Sequence, residues 1–473
     1  MRISRYTIVS AGLATALLLF ITVLSIVLYT NGPRVRLVSF QQDPASVAVH
    51  RNNTITVTFD RSIMNNDYSQ QISFEPAVDF EARTAKQSIV VTLQQNLSHN
   101  TEYTMRILPG ITDQTGREME DAYTHSFKTS NPSYMYAERR YGIDYSDEAT
   151  FIGSDREDSI WRAELNGERE EIFTAPVISQ FVANQKYAVV TTLDQDLSKL
   201  FTINLETKTV REESVPSDER IDNLAISPRG NIVLYTLTPE FNAENAERHE
   251  RNANRVEVIN LDSGSRRSLV DGDGVFVKSF SPIFIDPSGQ AALVKDAEQT
   301  YYAVSPFNDY EPIVLGARST SFGFNDNGSE VVFRDNTNFS RYDVVSGEVT
   351  PYEFDRQGFV RDVVTVDDTI FYQSNDFFGD GLTSYIEKID SWEDTDSEEV
   401  WSNSDSFYID TAFKDFDVSH DGELLSIHIH SSRCTFDGVS SNSQCPDVQT
   451  VLYDTATKEV ISTFNGFDLV WLP

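Results

Sequence analysis

From Tyr134 to Pro473 one phrase keeps returning, and it constrains the fold more than any other feature of this 473-residue chain. An apolar strand is followed by a turn of Pro, Asp or Asn with Gly. A second apolar strand comes next, then a strand ending in a turn such as Asp-x-x-Ser-Gly. QFVANQKYAVVTTLD (from Gln180), LAISPRGNIVLYTLT (from Leu224) and PIFIDPSGQAALVKD (from Pro282) open three repeats. SFGFNDNGSEVVFRD (from Ser321), VVTVDDTIFYQSND (from Val363) and FDVSHDGELLSIHIH (from Phe416) open three more. A period of about 40–50 residues with four short strands each predicts propeller blades. A lone blade cannot bury both faces, so 131–473 is read as one domain of about seven four-stranded blades, with six and eight as alternatives. The repeat at 361–401 lacks the Gly of the first turn, which keeps the count open.

Bulk composition points the same way. Hydrophobic residues make up 40% of the chain and aromatics 11%, which suits packed cores rather than disorder. Past the first ~30 residues no long helical periodicity is found, so the fold class is all-β. Between 36 and 130, segments such as VRLVSFQQ, SVAVHR, NTITVTFDRSI, QSIVVTLQQ and TEYTMRILPGI alternate apolar and polar residues between turns. That density of short strands predicts a sandwich of two packed sheets. A Cys-Trp-Cys core is absent, so the sandwich is not antibody-like.

The first 35 residues are different. No charge falls between Tyr6 and Asn31, and residues 7–30 read TIVSAGLATALLLFITVLSIVLYT. About 20 apolar residues cross a bilayer as a helix. Leu18 and Phe20 lie inside the run, while Tyr6 and Tyr29 stand at its ends, where interfacial aromatics belong. A cleavable signal peptide would have an apolar core of about 7–15 residues followed by a small-x-small site. Here the core is longer, and Ala14 and Ala16 lie within it. Residues 1–35 are therefore expected to be a cytoplasmic tip and an uncleaved transmembrane signal anchor. The chain is expected in the cell membrane as a single-pass protein, its C-terminal domains extracellular or periplasmic and its helix in the lipid bilayer. Cys434 and Cys445, the only cysteines, flank a Gly/Ser-rich stretch; in an exported domain they predict a local disulfide, stabilising by about 3 kcal/mol.

Two resemblances add to this reading. ITVTFDRSIMN (from Ile55), LSHNTEYTMRI (from Leu97), GITDQTGREM (from Gly110) and HSFKTS resemble the bacterial SbsA-type Ig-like domain. The resemblance implies a spacer or adhesive module, with Tyr103 packed into a corner and Asp113 and Gly116 shaping a turn. FIGSDREDSIWRAELNGEREEIFTA (from Phe151), with SPRG (from Ser227), DPSG (from Asp286) and SHDG (from Ser419), resembles the TolB-type branch of the Trp-Asp-repeat propellers.

The ends of the repeat region suggest how it closes. The segment before Phe151 has no inner-strand phrase, yet the chain ends in GFDLVWLP. Strand 467–472, with Phe467, Leu469 and Trp471, is predicted to complete the blade begun by residues 149–175, leaving no exposed edge around the ring. The alternative is an ordinary outer strand of the last blade.

A search for chemistry is mostly negative. The chain has no Gly-x-Ser-x-Gly elbow, no sialidase box and no phosphate-cradling Gly loop, so catalysis and a bound cofactor are not expected. His428 and His430 alternate on one strand face and, with His420, Cys434 and Cys445 nearby, are the candidate zinc ligands. Disulfide formation would compete for the thiols. Acidic turns at 271–274, after Asp380, and at 394–399 with Asp394 and Asp396 are candidate calcium sites, though none follows the EF-hand pattern. The insertion PEFNAENAERHERNANR (239–255) is predicted to be a short surface helix or loop capping one face.

Charge narrows the partners. Seventy-three acidic residues against 38 basic ones give a net charge of −35. Such a surface repels phosphate backbones, so nucleic acid is not an expected partner, whereas basic proteins and cations are allowed. Solubility of an exported domain is the plainer meaning of the acidity. The expected function is a membrane-anchored binding or scaffold protein, its Ig-like spacer presenting the propeller's loop face to an envelope protein or glycan. One alternative is a glycan-processing hydrolase or lyase with an acidic site in the propeller funnel. Another is a purely structural envelope component.

Overall fold

The computed structural model describes residues 16–18, 20 and 32–472, apart from 42–52, 96, 99, 130, 140–141, 145–149, 153–156, 195–196, 242–243, 308–310, 319, 326–327, 336–337, 353–358, 367–368, 379–380, 393–395, 403–410 and 432–447. The chain divides into two compact units, Met1–Asn131 and Pro132–Pro473. Leu18 and Phe20 are helical and exposed, while Tyr6 and Tyr29 lie outside the described residues. No helix among the described residues is long and apolar enough to cross a membrane.

The first unit is a two-sheet sandwich. One sheet has the order Val35–Phe40, Thr54–Phe59, Ser88–Leu93, Phe80–Ala85; the other runs Ile72–Glu75, Glu102–Ile107, Tyr123–Lys128. Alternation decides which side is buried: Ile55, Val57 and Phe59 face Ile89, Val91 and Leu93 across one strand pair, while the Thr residues between them stay half-exposed. Tyr103 is buried and stacks on Phe127 at 5.7 Å, and its hydroxyl accepts the Ser98 N–H at 3.0 Å. Asp113 holds the turn that follows, accepting from Thr115 N–H (2.8 Å), the Thr115 hydroxyl (2.6 Å) and Arg117 N–H (3.1 Å). Burial alone would raise its pKa, but these bonds outweigh burial and lower it to about 2. Gly116 sits in that turn at φ +83°. Predicted strand SVAVHR falls outside the described residues.

Among the described residues the second unit contains seven four-stranded antiparallel sheets. Their innermost strands are Phe467–Leu472, Ile178–Ala183, Glu219–Ile226, Phe284–Ile285, Thr320–Phe324, Phe359–Val366 and Thr411–Val418. Each lies against the next around a closed circle, the last returning to the first. The sheets are therefore blades of one propeller, numbered here from the blade that contains Phe467–Leu472. Central strands read as continuous apolar runs because both faces are covered. In Ile232–Pro239, Ile232 and Leu234 pack toward blade four with Ile285 and Ala292, whereas Val233 and Tyr235 pack toward blade two with Tyr187 and Val189. Burying each such side chain stabilises by about 1.5–3 kcal/mol.

Turn chemistry explains the repeated phrases. Asn184, Ser227, Asp286, Asn325 and Ser419 each begin the turn after an innermost strand, and each side chain accepts a backbone N–H further along it. Asp343 and Asp454 do the same where the third strand turns into the fourth.

Blade one departs from the sequence expectation in its second strand. The sheet order is Phe467–Leu472, Ser133–Arg139, Asp158–Glu164, Arg169–Ala175. Thr150–Ile152 instead pairs with Gly142–Asp144 as a separate hairpin, so the blade begins at Ser133 rather than at 149. SYMYAER lacks the alternation that marks an inner phrase because four of its residues are buried in succession. Phe467, Leu469 and Trp471 are all buried, and Trp471 pairs with Tyr134 across the innermost strand pair. The 239–255 insertion carries the helix Ala246–Asn252, tied down by Arg248, which donates to Glu219 at 2.9 Å and also binds Asp218.

Candidate functional site at the propeller axis

Polar ties stitch every seam between neighbouring blades. The buried pair Arg139–Asp158 joins blades one and two, because Arg139 donates to the Ile178 carbonyl at 3.1 Å while Asp158 accepts the Ile178 N–H at 2.8 Å. Gln180 donates to the Asp222 carbonyl, Arg229 N–H to the Pro287 carbonyl and Ser321 N–H to the Tyr301 hydroxyl. Arg334 reaches the Val360 carbonyl, and Tyr453 the Val400 carbonyl. Between blades seven and one, Leu469 N–H donates to His428 Nε2 at 3.4 Å.

The innermost strands share a second feature. Six of the seven shift register near mid-strand, at 178/180, 221/224, 321/323, 360/363, 413/415 and 467/470; the two-residue strand Phe284–Ile285 is too short to do so. A bulge adds local twist and re-aims side chains. Repeated around the ring, it takes the polar residues Ser179, Asp222, Asn223, Arg361, Asp362 and Asp468 out of the regular ladder.

The innermost strands of blades six and seven carry a cluster of carboxyl groups, Asp362, Asp415 and Asp417. Asp415 accepts a hydrogen bond from His428 Nδ1, opposite it in the ladder. On its other side the ring receives the Leu469 N–H at Nε2, so it is Nδ1 that donates to Asp415. Asp362 has its pKa raised to about 6, chiefly by burial, against the Val363 N–H that its own carboxylate accepts; Asp415 adds repulsion. Asp417 is raised to about 7, again chiefly by burial, with Asp362 and Asp415 repelling its charge and His428 opposing them. Asp417 keeps part of its surface open to solvent while protein atoms crowd it closely. Carboxyl groups that hold protons near neutral pH act as hydrogen-bond donors or general acids as well as acceptors, and neighbours this close titrate as a set. They stand on adjacent strands of one wall rather than facing each other across the axis.

Other sequence candidates stay apart from this cluster or outside the described residues. His430 lies half-buried two positions beyond His428, while His420 Nε2 contacts the Trp471 carbonyl at 3.3 Å. Cys434, Cys445, Asp380 and Asp394 fall outside the described residues, and Asp396 is exposed on blade six. Among the described residues no group of His, Cys, Asp and Glu has the arrangement of a metal site, and both His428 nitrogens are occupied by protein partners. Sequence reasoning passed over Asp362, Asp415 and Asp417. The available signal was a carboxylate inside an apolar strand phrase, in VRDVVTV and in KDFDVS.

Comparison with known proteins bears on the two units differently. The family model for the bacterial Ig-like domain matches residues 30–129. Residues 30–129 are a bacterial Ig-like domain. No curated protein matches the sequence. Among solved structures, the Cps50 (Swd1) β-propeller domain of Myceliophteria thermophila is similar at 10% identity and TM-score 0.41, over 61% of this chain and 86% of that one. A prolyl endopeptidase is similar at 12% identity and TM-score 0.43, over 61% of this chain; the chain spans 42% of that protein's length. A protein assigned as TolB from Agrobacterium tumefaciens is similar at 15% identity and TM-score 0.37, over 57% of this chain and 90% of that one. These likenesses concern the propeller fold alone.

Proposed function

We propose that this chain is a membrane-anchored, surface-displayed binding or scaffold protein. Its apolar N-terminal run would hold it in the membrane, the Ig-like domain would act as spacer, and the propeller would meet an envelope protein or glycan outside the cytoplasm. The observation that carries this reading is the propeller's closure: a ring of seven blades with a polar tie across every seam. A scaffold built that way keeps its loops in fixed positions, which suits recognition. Full-length protein recovered from membranes and used as bait against solubilised envelope should retain specific partners. Recovery of the chain in the soluble fraction, or bait that retains nothing, would sink the reading.

A second reading is a glycan-processing hydrolase or lyase acting at the axis. It is favoured by the raised proton affinity of Asp362 and Asp417 beside the Asp415–His428 pair. Turnover of an envelope polysaccharide that Asp417→Asn abolishes would establish it. Unchanged turnover in that variant would remove it.

A further inference from the structure

The outer wall of blade four breaks a rule that the other six blades keep. An outermost strand leaves backbone groups free along one side, and such an edge recruits foreign strands unless charge or proline guards it. Arg169–Ala175, Thr209–Glu213, Arg266–Ser268, Glu398–Ser402 and Glu459–Asn465 all carry charged residues, and Val349–Tyr352 carries Pro351. Ile313–Ala317 reads IVLGA and has neither. Ile313 and Val314 are 60% and 63% exposed, and among the described residues no strand pairs with the outer side of theirs.

A cleft of about 640 Å³ runs into the start of this strand, since Glu311 and Pro312, the residues just before it, help line it. The remaining lining comes from 271–280, which crosses from blade three to blade four, from Val294 and the second-to-third-strand turn of blade four, and from Tyr302. None of it belongs to an innermost strand, so the cleft is separate from the axial cluster. Its floor is apolar, with Val275 and Phe280 59% and 46% exposed. Its rim is acidic: Asp271, Asp273, Asp296, Glu298 and Glu311 face one lysine, Lys278, whose ammonium donates to the Glu250 carbonyl at 2.7 Å.

We propose that the cleft and the unguarded edge together hold an extended segment of a partner protein rich in basic and apolar residues. The segment's main chain adds to Ile313–Ala317 as a fifth strand of blade four. Its apolar side chains enter the cleft, and its lysines or arginines meet the carboxylates of the rim. Charge decides the occupant: a second copy of this chain would bring two surfaces of net charge −35 edge to edge, whereas a basic segment is attracted. The proposal rests on the binding role above and gives it a place and a partner class.

The test titrates purified full-length protein with a short labelled peptide alternating lysine and valine. Two analogues accompany it, one N-methylated along its backbone and one with glutamate for lysine. The lysine peptide is expected to bind saturably, and neither analogue should bind. Val314→Lys, and the pair Asp273→Lys with Glu298→Lys, should each weaken binding by about tenfold or more, as should high salt. All three side chains are exposed, and an unchanged circular dichroism spectrum would verify the fold of each variant. Absence of saturable binding, or binding indifferent to these variants, overturns the proposal. So does a wild-type dimer that Val314→Lys dissociates, since the edge then belongs to a second copy. In the envelope pull-down, partners retained equally by wild type and Val314→Lys would sink this site while leaving the binding role intact; a bait that retains nothing sinks the role, and the peptide titration still decides the cleft.

Discussion

At the scale of single residues, buried charge sets the sharpest expectations. Asp158 is fully buried and pairs with Arg139, itself almost fully buried, at 2.9 Å. Asp158→Ala would leave an uncompensated guanidinium in the seam between blades one and two, and should cost about 3–5 kcal/mol in denaturant unfolding. A loss below about 1 kcal/mol would mean that Arg139 finds water or another partner. Asp417 predicts the opposite sign. Its folded pKa of about 7 lies above the ordinary carboxylate value of 3.8, so the native state binds the proton more tightly and stability falls as pH rises between these values. Asp417→Asn should therefore stabilise the propeller at pH 8 by about 2 kcal/mol, after discounting for the side chain's partial exposure, and change little at low pH. Equal unfolding midpoints for wild type and variant at high pH would refute the assignment.

At the scale of elements, turns and edges decide what the strands alone leave open. The Asp113 turn of the Ig-like domain gathers three donors on one carboxylate, whose pKa drops to about 2. A depressed pKa contributes stability that is present above the unfolded value and lost as pH falls from about 4 toward 2. Asp113→Ala should destabilise the Ig-like domain by about 1–3 kcal/mol at neutral pH and remove that acid-sensitive component. Thermal melts at pH 7 and pH 3 would check it, and an unchanged pH dependence would count against the turn. The bulge repeated on six innermost strands is an element-scale feature too. It explains how residues with different sequence neighbours, such as Asp222 and Asp362, leave the ladder of their innermost strands.

At the scale of the whole molecule, the ring is closed by a strand from the far end of the chain. Phe467–Leu472 pairs with Ser133–Arg139, so the propeller cannot finish folding until its last residues are in place. Ending the chain after Gly466 would expose the inner edge of blade one and strip partners from Tyr134, whose ring meets Trp471 at 5.6 Å. Calorimetry should then show the propeller transition lowered or replaced by aggregation, with the Ig-like transition unmoved, because that unit has a core of its own. Both transitions shifting together would argue against independent units.

Much of this architecture was legible in the sequence. Alternation in ITVTF and IVVTL, the Gly-bearing turns and the recurring apolar strand pairs are local signals, governed by backbone dihedrals and by which side of a strand meets water. They specify strands, sandwich and blades without reference to distant residues. Ser133–Arg139 was missed because a strand buried on both faces loses that alternation. The axial cluster was missed for a different reason. Asp362 and Asp417 are far apart in the chain and lie on different blades, and their raised proton affinity arises only when folding of the ring removes water and brings like charges near. The unguarded edge of blade four is similar: IVLGA is an ordinary strand in sequence, and only the tertiary structure makes it outermost and sets it against an acidic cleft. Local periodicity determined the elements, whereas burial and charge proximity, which depend on the closed ring, decided where chemistry and recognition reside.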